Sequence, residues 1–217
     1  KEHPTSVEFK AITPWFSEDI LVNIPGKFSV YNALCAIGVC GLMGVHVDSI
    51  KSGLETVSVP GRAEIVDTGR DFTVIIDYAH TPDSLENILT TVRSFAPARL
   101  VSLFGCGGDR DKTKRPIMGK ISGEIADFTI ITSDNPRTED PDAIIRDIEA
   151  GIKDSEARYI TITDRREAIR YAILNAQPKD VIVLAGKGHE TYQTFKDKTV
   201  HFDEREVVKE ILEELKS

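Results

Sequence analysis

The sequence predicts an α/β fold, a mostly parallel sheet with helices on both faces, preceded by a smaller region of different character. Three observations predict it. Short apolar, β-branched runs recur at residues 72–77, 100–104, 128–132 and 181–185. Helix-length segments separate them, and strands alternating with helices imply parallel pairing with both faces covered. A polar or glycine-rich stretch follows each of these four runs, and in a parallel sheet all strand C-termini share one edge.

In chain order, residues 6–12 and 20–24 read as extended segments, and Pro25-Gly26 turns the chain. Ser29 is positioned to cap a helix reaching about residue 44, because a hydroxyl can accept from an unpaired first-turn amide. That helix carries Val30, Ala33, Leu34, Ile37, Val39 and Leu42 around most of its circumference, which predicts burial on nearly all sides. A short helix over 48–55 leads to Pro60-Gly61, a breaker pair, and a boundary is placed there. The strand at 72–77 is followed by a helix over 81–95, opened by Thr81-Pro82-Asp83-Ser84, with proline where its missing N–H costs nothing. After the strand at 100–104 come a helix over 114–125, the strand at 128–132 and a helix over 141–152. A short strand at 159–163 precedes a helix to 176 capped by Asp164. The strand at 181–185, a hairpin over 192–202 turning at Lys196-Asp197, and a closing helix over 204–215 complete the chain.

The formal net charge is −8, with no block of five or more like charges, which argues against a nucleic-acid partner whose phosphates would be repelled. A small anion remains accessible, because a local cationic pocket outweighs distant charge. Cys35, Cys40 and Cys106 are odd in number and lack CxxC spacing. A reduced, cytoplasmic compartment without disulfides or a zinc site is therefore expected. The apolar run at 33–47 is too short to span a bilayer, so no membrane insertion is expected. The first residue is Lys1 rather than Met, which suggests a fragment or a processed product.

The chemistry gathers in four loops. Gly105-Cys106-Gly107-Gly108-Asp109-Arg110 reads as an anion cradle, its glycines letting backbone amides approach a carboxylate or phosphate and Arg110 adding a two-pronged donor. The plain alternative is a tight turn with a surface arginine. The stretch matches neither the P-loop spacing nor the dinucleotide fingerprint. Asp134-Asn135-Pro136-Arg137 combines an acid, an amide and an arginine, a set able to hold a zwitterion; the alternative is a side-chain-stabilised turn. In Gly186-Lys187-Gly188-His189-Glu190, Glu190 is placed to meet an ammonium, or the segment is a flexible loop. In Asp77-Tyr78-Ala79-His80, Tyr78 and His80 can stack on a purine, and Asp77 can accept from ribose hydroxyls or cap the next helix. A lone histidine is as readily structural.

These residues resemble a known family. Pro60-Gly61-Arg62 and Asp77-Tyr78-Ala79-His80-Thr81-Pro82-Asp83 look like the start of the C-terminal domain of the Mur ligases. FGCGGDRDKTKRP at 104–116, DNPRTEDP at 134–141 and AGKGHETYQ at 185–193 are similar to the branch that adds the third amino acid of the peptidoglycan precursor. The resemblance implies that residues 1–59 are the tail of the family's central P-loop ATPase domain and that residues 60–217 are its Rossmann-like C-terminal domain. It implies that Arg110, Asp134, Asn135, Arg137, Gly186 and Glu190 hold the incoming amino acid. It places Asn32, Arg62, Asp77, Tyr78 and His80 near ATP. An Asp-Asn-Pro-Arg motif marks the branch that takes meso-diaminopimelate, whose distal carboxylate asks for a cation that Arg137 offers.

The implied activity is an ATP-dependent amide ligase joining meso-diaminopimelate to UDP-MurNAc-L-Ala-D-Glu, with ATP and Mg2+ as cofactors. No stretch of this chain resembles the phosphate- and magnesium-binding P-loop, the carbamylated lysine or the UDP-binding domain of that family. The chain is therefore expected to be inactive by itself, to supply no metal site and no general base, and to act by positioning an amine and closing over ATP. Three alternatives stand beside this: a non-catalytic binding module, a lysine-adding ligase, and a folylpolyglutamate-type ligase.

Overall fold

A computed structural model describes residues 1–3, 5–96 and 98–215. The chain divides into two compact units, Lys1–Val59 and Pro60–Ser217.

In the first unit, β1 (Val7–Ile12) and β2 (Ser17–Val22) form an antiparallel hairpin with Val7 opposite Val22. Thr13 closes its turn, its hydroxyl accepting from the amides of Trp15 and Phe16. Helices α1 (Lys27–Leu42) and α2 (Val47–Thr56) follow. Val7, Ala11, Ile20, Val22, Ala33, Ile37 and Ile50 make the core.

Two expectations fail here. The helix starts at Lys27 behind Gly26, whose φ of 90° suits glycine, and Ser29 makes no cap. The Ser29 hydroxyl instead donates back to the Pro25 carbonyl at 3.0 Å. Nor is α1 buried all round: Ser29, Ala33, Ile37 and Gly41 are buried, while Leu34, Val39 and Leu42 are 41%, 58% and 81% exposed. The buried four are spaced by four residues and form one stripe, which is as much helix surface as this unit's small core covers.

The second unit is built on a six-stranded sheet in the order β3-β4-β8-β5-β6-β7. Its strands are β3 (Glu64–Val66), β4 (Thr73–Asp77), β5 (Leu100–Phe104), β6 (Phe128–Ile131), β7 (Tyr159–Thr161) and β8 (Val181–Ala185). All neighbours are parallel except β3, which runs antiparallel to β4. The short β3 is not foreseen from the sequence: three residues at a sheet edge, with Ile65 exposed, carry little pattern.

Helices α3 (Pro82–Phe95), α4 (Lys114–Ile125) and α5 (Pro141–Glu149) cover one face, with Leu85, Ile88, Leu89, Val92, Met118, Ile144 and Ile148 in a single core. Helices α6 (Arg165–Leu174) and α7 (Glu204–Glu214) cover the other with Ile169, Ile173, Val208 and Ile211. Thr81 and Ser84 form a reciprocal cap at the start of α3, with Pro82 in its first turn. Strands β9 (Tyr192–Thr194) and β10 (Thr199–His201) make the hairpin at 192–202. Among the described residues, no helix is long and apolar enough to cross a membrane.

Candidate functional site

The strand register sets the site. Asp77 pairs with Ala185, Ala185 with Phe104 and Phe104 with Ile131, so β4, β8, β5 and β6 end in one row. The chain reaches β8 last and inserts it between β4 and β5, placing the topological switch beneath the four polar loops. A cleft of ≈ 230 Å³ lined by Arg99, Phe128, Arg158 and Tyr171 lies at the opposite, N-terminal edge and touches none of these loops.

The loops after β5, β6 and β8 are bonded together. Gly108 N donates to Asn135 O at 2.9 Å, and Arg137 Nη1 donates to Gly108 O at 2.7 Å. Arg137 has a φ of 52° and its amide donates to Thr194 O at 3.0 Å, which holds the residue in an unfavourable backbone region. A side chain at Gly107 would meet Arg137 Nη1 at 2.8 Å and Arg110 Cγ at 3.8 Å, so the two arginines flank one glycine. Arg110 is exposed and donates to Asp109 O at 3.0 Å. Among the described residues, the side chains of Arg137 and Arg110 bond to these backbone carbonyls through Nη1, and the rest of each guanidinium fork makes no further hydrogen bond there.

Asn135 is 2% exposed and bonded at both ends of its amide: its Nδ2 donates to Glu190 Oε2 at 2.9 Å, and its Oδ1 accepts from Thr194 N at 2.9 Å and Lys187 Nζ at 3.2 Å. Asp134 turns inward. Its Oδ1 accepts from Asn135 N at 2.6 Å, and its Oδ2 would stand 2.9 Å from any side chain at Gly186, which has a φ of 118°. The structure thus brings all six expected amino-acid-site residues to one edge. It leaves Arg110 exposed and Arg137 and Glu190 partly exposed, while Asp134, Asn135 and Gly186 are buried.

The loop after β4 forms a second cluster. Tyr78 lies 4.7 Å from the His80 ring and 4.9 Å from the His189 ring, with the Arg62 guanidinium 5.0 Å over its face. Both oxygens of Asp77 accept backbone amides, Ala63 N at 2.7 Å and Ala79 N at 2.8 Å. Burial raises its pKa while those two bonds oppose the rise. Asp77 is therefore a brace for the loop as well as a candidate acceptor. Gly61 and Gly188 touch so closely that a side chain at either would strike the other segment's backbone, which brings Arg62 to the Tyr78 ring. Asn32 is exposed on α1 in the first unit, apart in sequence from the Tyr78 group.

Several residues at this edge escape sequence reasoning. Lys187 is 0% exposed, and Arg165 and Arg115 are likewise buried. Arg165 donates to Glu204 Oε1 at 2.9 Å and to the carbonyls of Ala185 and Ser133, supporting the ends of β8 and β6 from below. Arg115 links Glu139, Asp147 and the Gly107 carbonyl. Both arginines sit in first helical turns, where sequence suggests a solvated side chain. The signal for Lys187 is its place one glycine beyond the five buried residues of β8. Cys106 lies against Met118, and burial pushes its thiol up to about 12, so it stays protonated and unreactive. Among the described residues, no group of three or more His, Cys, Asp or Glu side chains is placed to hold a metal ion.

Residues 61–188 match the family described as Mur ligase, glutamate ligase domain. A relative from Caldanaerobacter subterraneus subsp. tengcongensis, named UDP-N-acetylmuramoyl-L-alanyl-D-glutamate--2,6-diaminopimelate ligase, is 55% identical over 214 residues, covering 99% of this chain and 44% of its own length. One of the same name from Clostridium botulinum is 56% identical, covering 98% and 44%. A solved structure of a ligase so named superposes with a TM-score of 0.71 at 35% identity, covering 97% of this chain and 43% of that one. The chain thus spans less than half the length of the relatives it matches. With its sheet, its loop edge and these likenesses together, the chain belongs to the Mur ligase family.

Proposed function

We propose that this chain is the amino-acid-binding part of an ATP-dependent ligase that adds meso-diaminopimelate to UDP-MurNAc-L-Ala-D-Glu, and that it also closes over ATP. The relatives' names point to that substrate. The observation that carries the reading is the pairing of two open guanidinium forks, Arg110 and Arg137, with the Glu190 carboxylate across the Asn135 bridge. A carboxylate end of the ligand meets the arginines, and an ammonium meets Glu190. Lysine has no distal carboxylate and would leave Arg137 unpaired, which favours diaminopimelate.

For ATP, the Tyr78 ring with His80, His189 and Arg62 offers flat faces and a cation suited to a base or phosphate. When bound, ATP activates the acceptor carboxylate for amide formation. The described residues offer no cluster of three or more His, Cys, Asp or Glu side chains suited to Mg2+. The chain's own role is to bind and orient the attacking amine. A cytoplasmic location accords with precursor synthesis from a UDP-linked substrate.

Titration calorimetry of the chain with meso-diaminopimelate tests this. Binding is expected, with Arg137→Ala weakening it by ~10-fold or more, the scale of one lost charge-assisted contact. Equal affinity for lysine and diaminopimelate in both proteins would remove the reading.

A further inference from the structure

The geometry points to Lys187 as a positioning residue of the amino-acid subsite: its buried ammonium, with the Asn135 amide, holds Oε2 of Glu190 inward so that Oε1 faces the ligand. This rests on the function proposed above and adds a residue to it. Lys187 is 0% exposed, and its Nζ lies 3.2 Å from Asn135 Oδ1 and 3.4 Å from Glu190 Oε2. The rings of Tyr192 and Phe202 stand at 5.8 and 6.0 Å on its other sides. Among the described residues, the Glu190 carboxylate is bonded through Oε2, from Asn135 Nδ2 and Lys187 Nζ, and its side chain is 15% exposed.

A buried ammonium is costly unless it is paired. Burial lowers the Lys187 pKa and nearby Arg165 adds to this, while Asp134, Glu190 and Glu204 favour the charged form. Neutral packing would fill the same space more cheaply, and a solvated lysine would not fix Glu190. What the ammonium supplies here is direction. It ties the β8 loop to the β6 loop and leaves one carboxylate oxygen as an acceptor for a ligand ammonium. Asn135 cannot do this alone, since its Oδ1 must itself be oriented by Thr194 N and Lys187 Nζ.

The test compares wild type, Lys187→Met, Glu190→Gln and the double variant of the whole chain, with meso-diaminopimelate as the calorimetric probe and thermal melting as a check on folding. Lys187→Met is expected to weaken binding about 10- to 100-fold, the loss of a hydrogen bond to a charged group. If Lys187 acts through Glu190, the double variant binds within about twofold of Glu190→Gln alone. Losses that simply add would overturn the proposal. A second readout needs no ligand: the Asn135 carboxamide protons, held by Glu190, should shift and exchange faster in Lys187→Met. Their staying unchanged would overturn it too. Should Lys187→Met melt early, Lys187→Gln carries the same comparisons without the charge. If wild type fails to bind meso-diaminopimelate, the proposed function falls, while the Asn135 signal still decides the role of Lys187.

Discussion

Replacing Glu139 by glutamine should loosen the β5 loop in a pH-dependent way. The Glu139 carboxylate accepts from both terminal nitrogens of Arg115 at 2.9 and 3.1 Å, and from Asp109 N at 2.6 Å, and it pairs with Lys112 Nζ at 2.9 Å. The Arg115 bonds first, then Lys112 and the Asp109 amide, hold its pKa down from 4.5 to about 2. At about 1.4 kcal/mol per pKa unit this is worth ~3.5 kcal/mol at most. The side chain is 16% exposed, and solvent screening reduces the figure to ~1.5–2 kcal/mol. A lowered carboxylate pKa stabilises the fold above the unfolded value of 4.5, and the stabilisation fades as pH falls towards about 2. Glu139→Gln should therefore be less stable than wild type by ~2 kcal/mol at neutral pH, with roughly two-thirds of that gap gone near pH 3. Urea unfolding followed through methyl signals of Leu89 and Val183 reports the second unit's core, whereas fluorescence of Trp15, the single tryptophan, reports the first. A gap of the same size at both pH values, or none at neutral pH, would refute the reasoning.

Gly186→Ala should destabilise by ~1–3 kcal/mol, because its φ of 118° disfavours a side chain and the new methyl would press on Asp134 Oδ2; an unchanged melting temperature would contradict this. Arg165→Met should cost ~3–5 kcal/mol by leaving Glu204 buried without its cation. Adding Glu204→Leu should recover part of that loss in urea melts, and a double variant weaker than the single would count against the argument. The Arg137→Ala and Lys187→Met comparisons belong with these.

Where one face or one run decided the outcome, the structure followed the sequence. The runs at 100–104 and 181–185 became β5 and β8 with the same bounds, because residues buried on both faces leave a near-continuous apolar signature, interrupted in β5 by the small Ser102. Thr81-Pro82-Asp83-Ser84 opened α3 through bonds among neighbours, which need no distant partner. Longer-range facts were silent. Ser29 looks like a cap until Gly26 takes that position, and α1 looks buried until its one covered stripe is counted. The insertion of β8 between β4 and β5 and the antiparallel edge strand β3 depend on chain crossovers that leave no local mark.

The sequence by itself determined the α/β alternation, the four loops at strand ends and the family they resemble, since each rests on short-range pattern or on long motifs. Only the tertiary structure decided which members of those loops face outward and which brace them. Asn135 and Asp134 turn inward, Lys187, Arg115 and Arg165 are buried, and His189 joins the Tyr78 ring. Charged side chains read as solvated in a linear chain. Their burial is decided by partners such as Glu190, Glu139 and Glu204, which lie 3 to 39 residues away and meet them only when the chain folds.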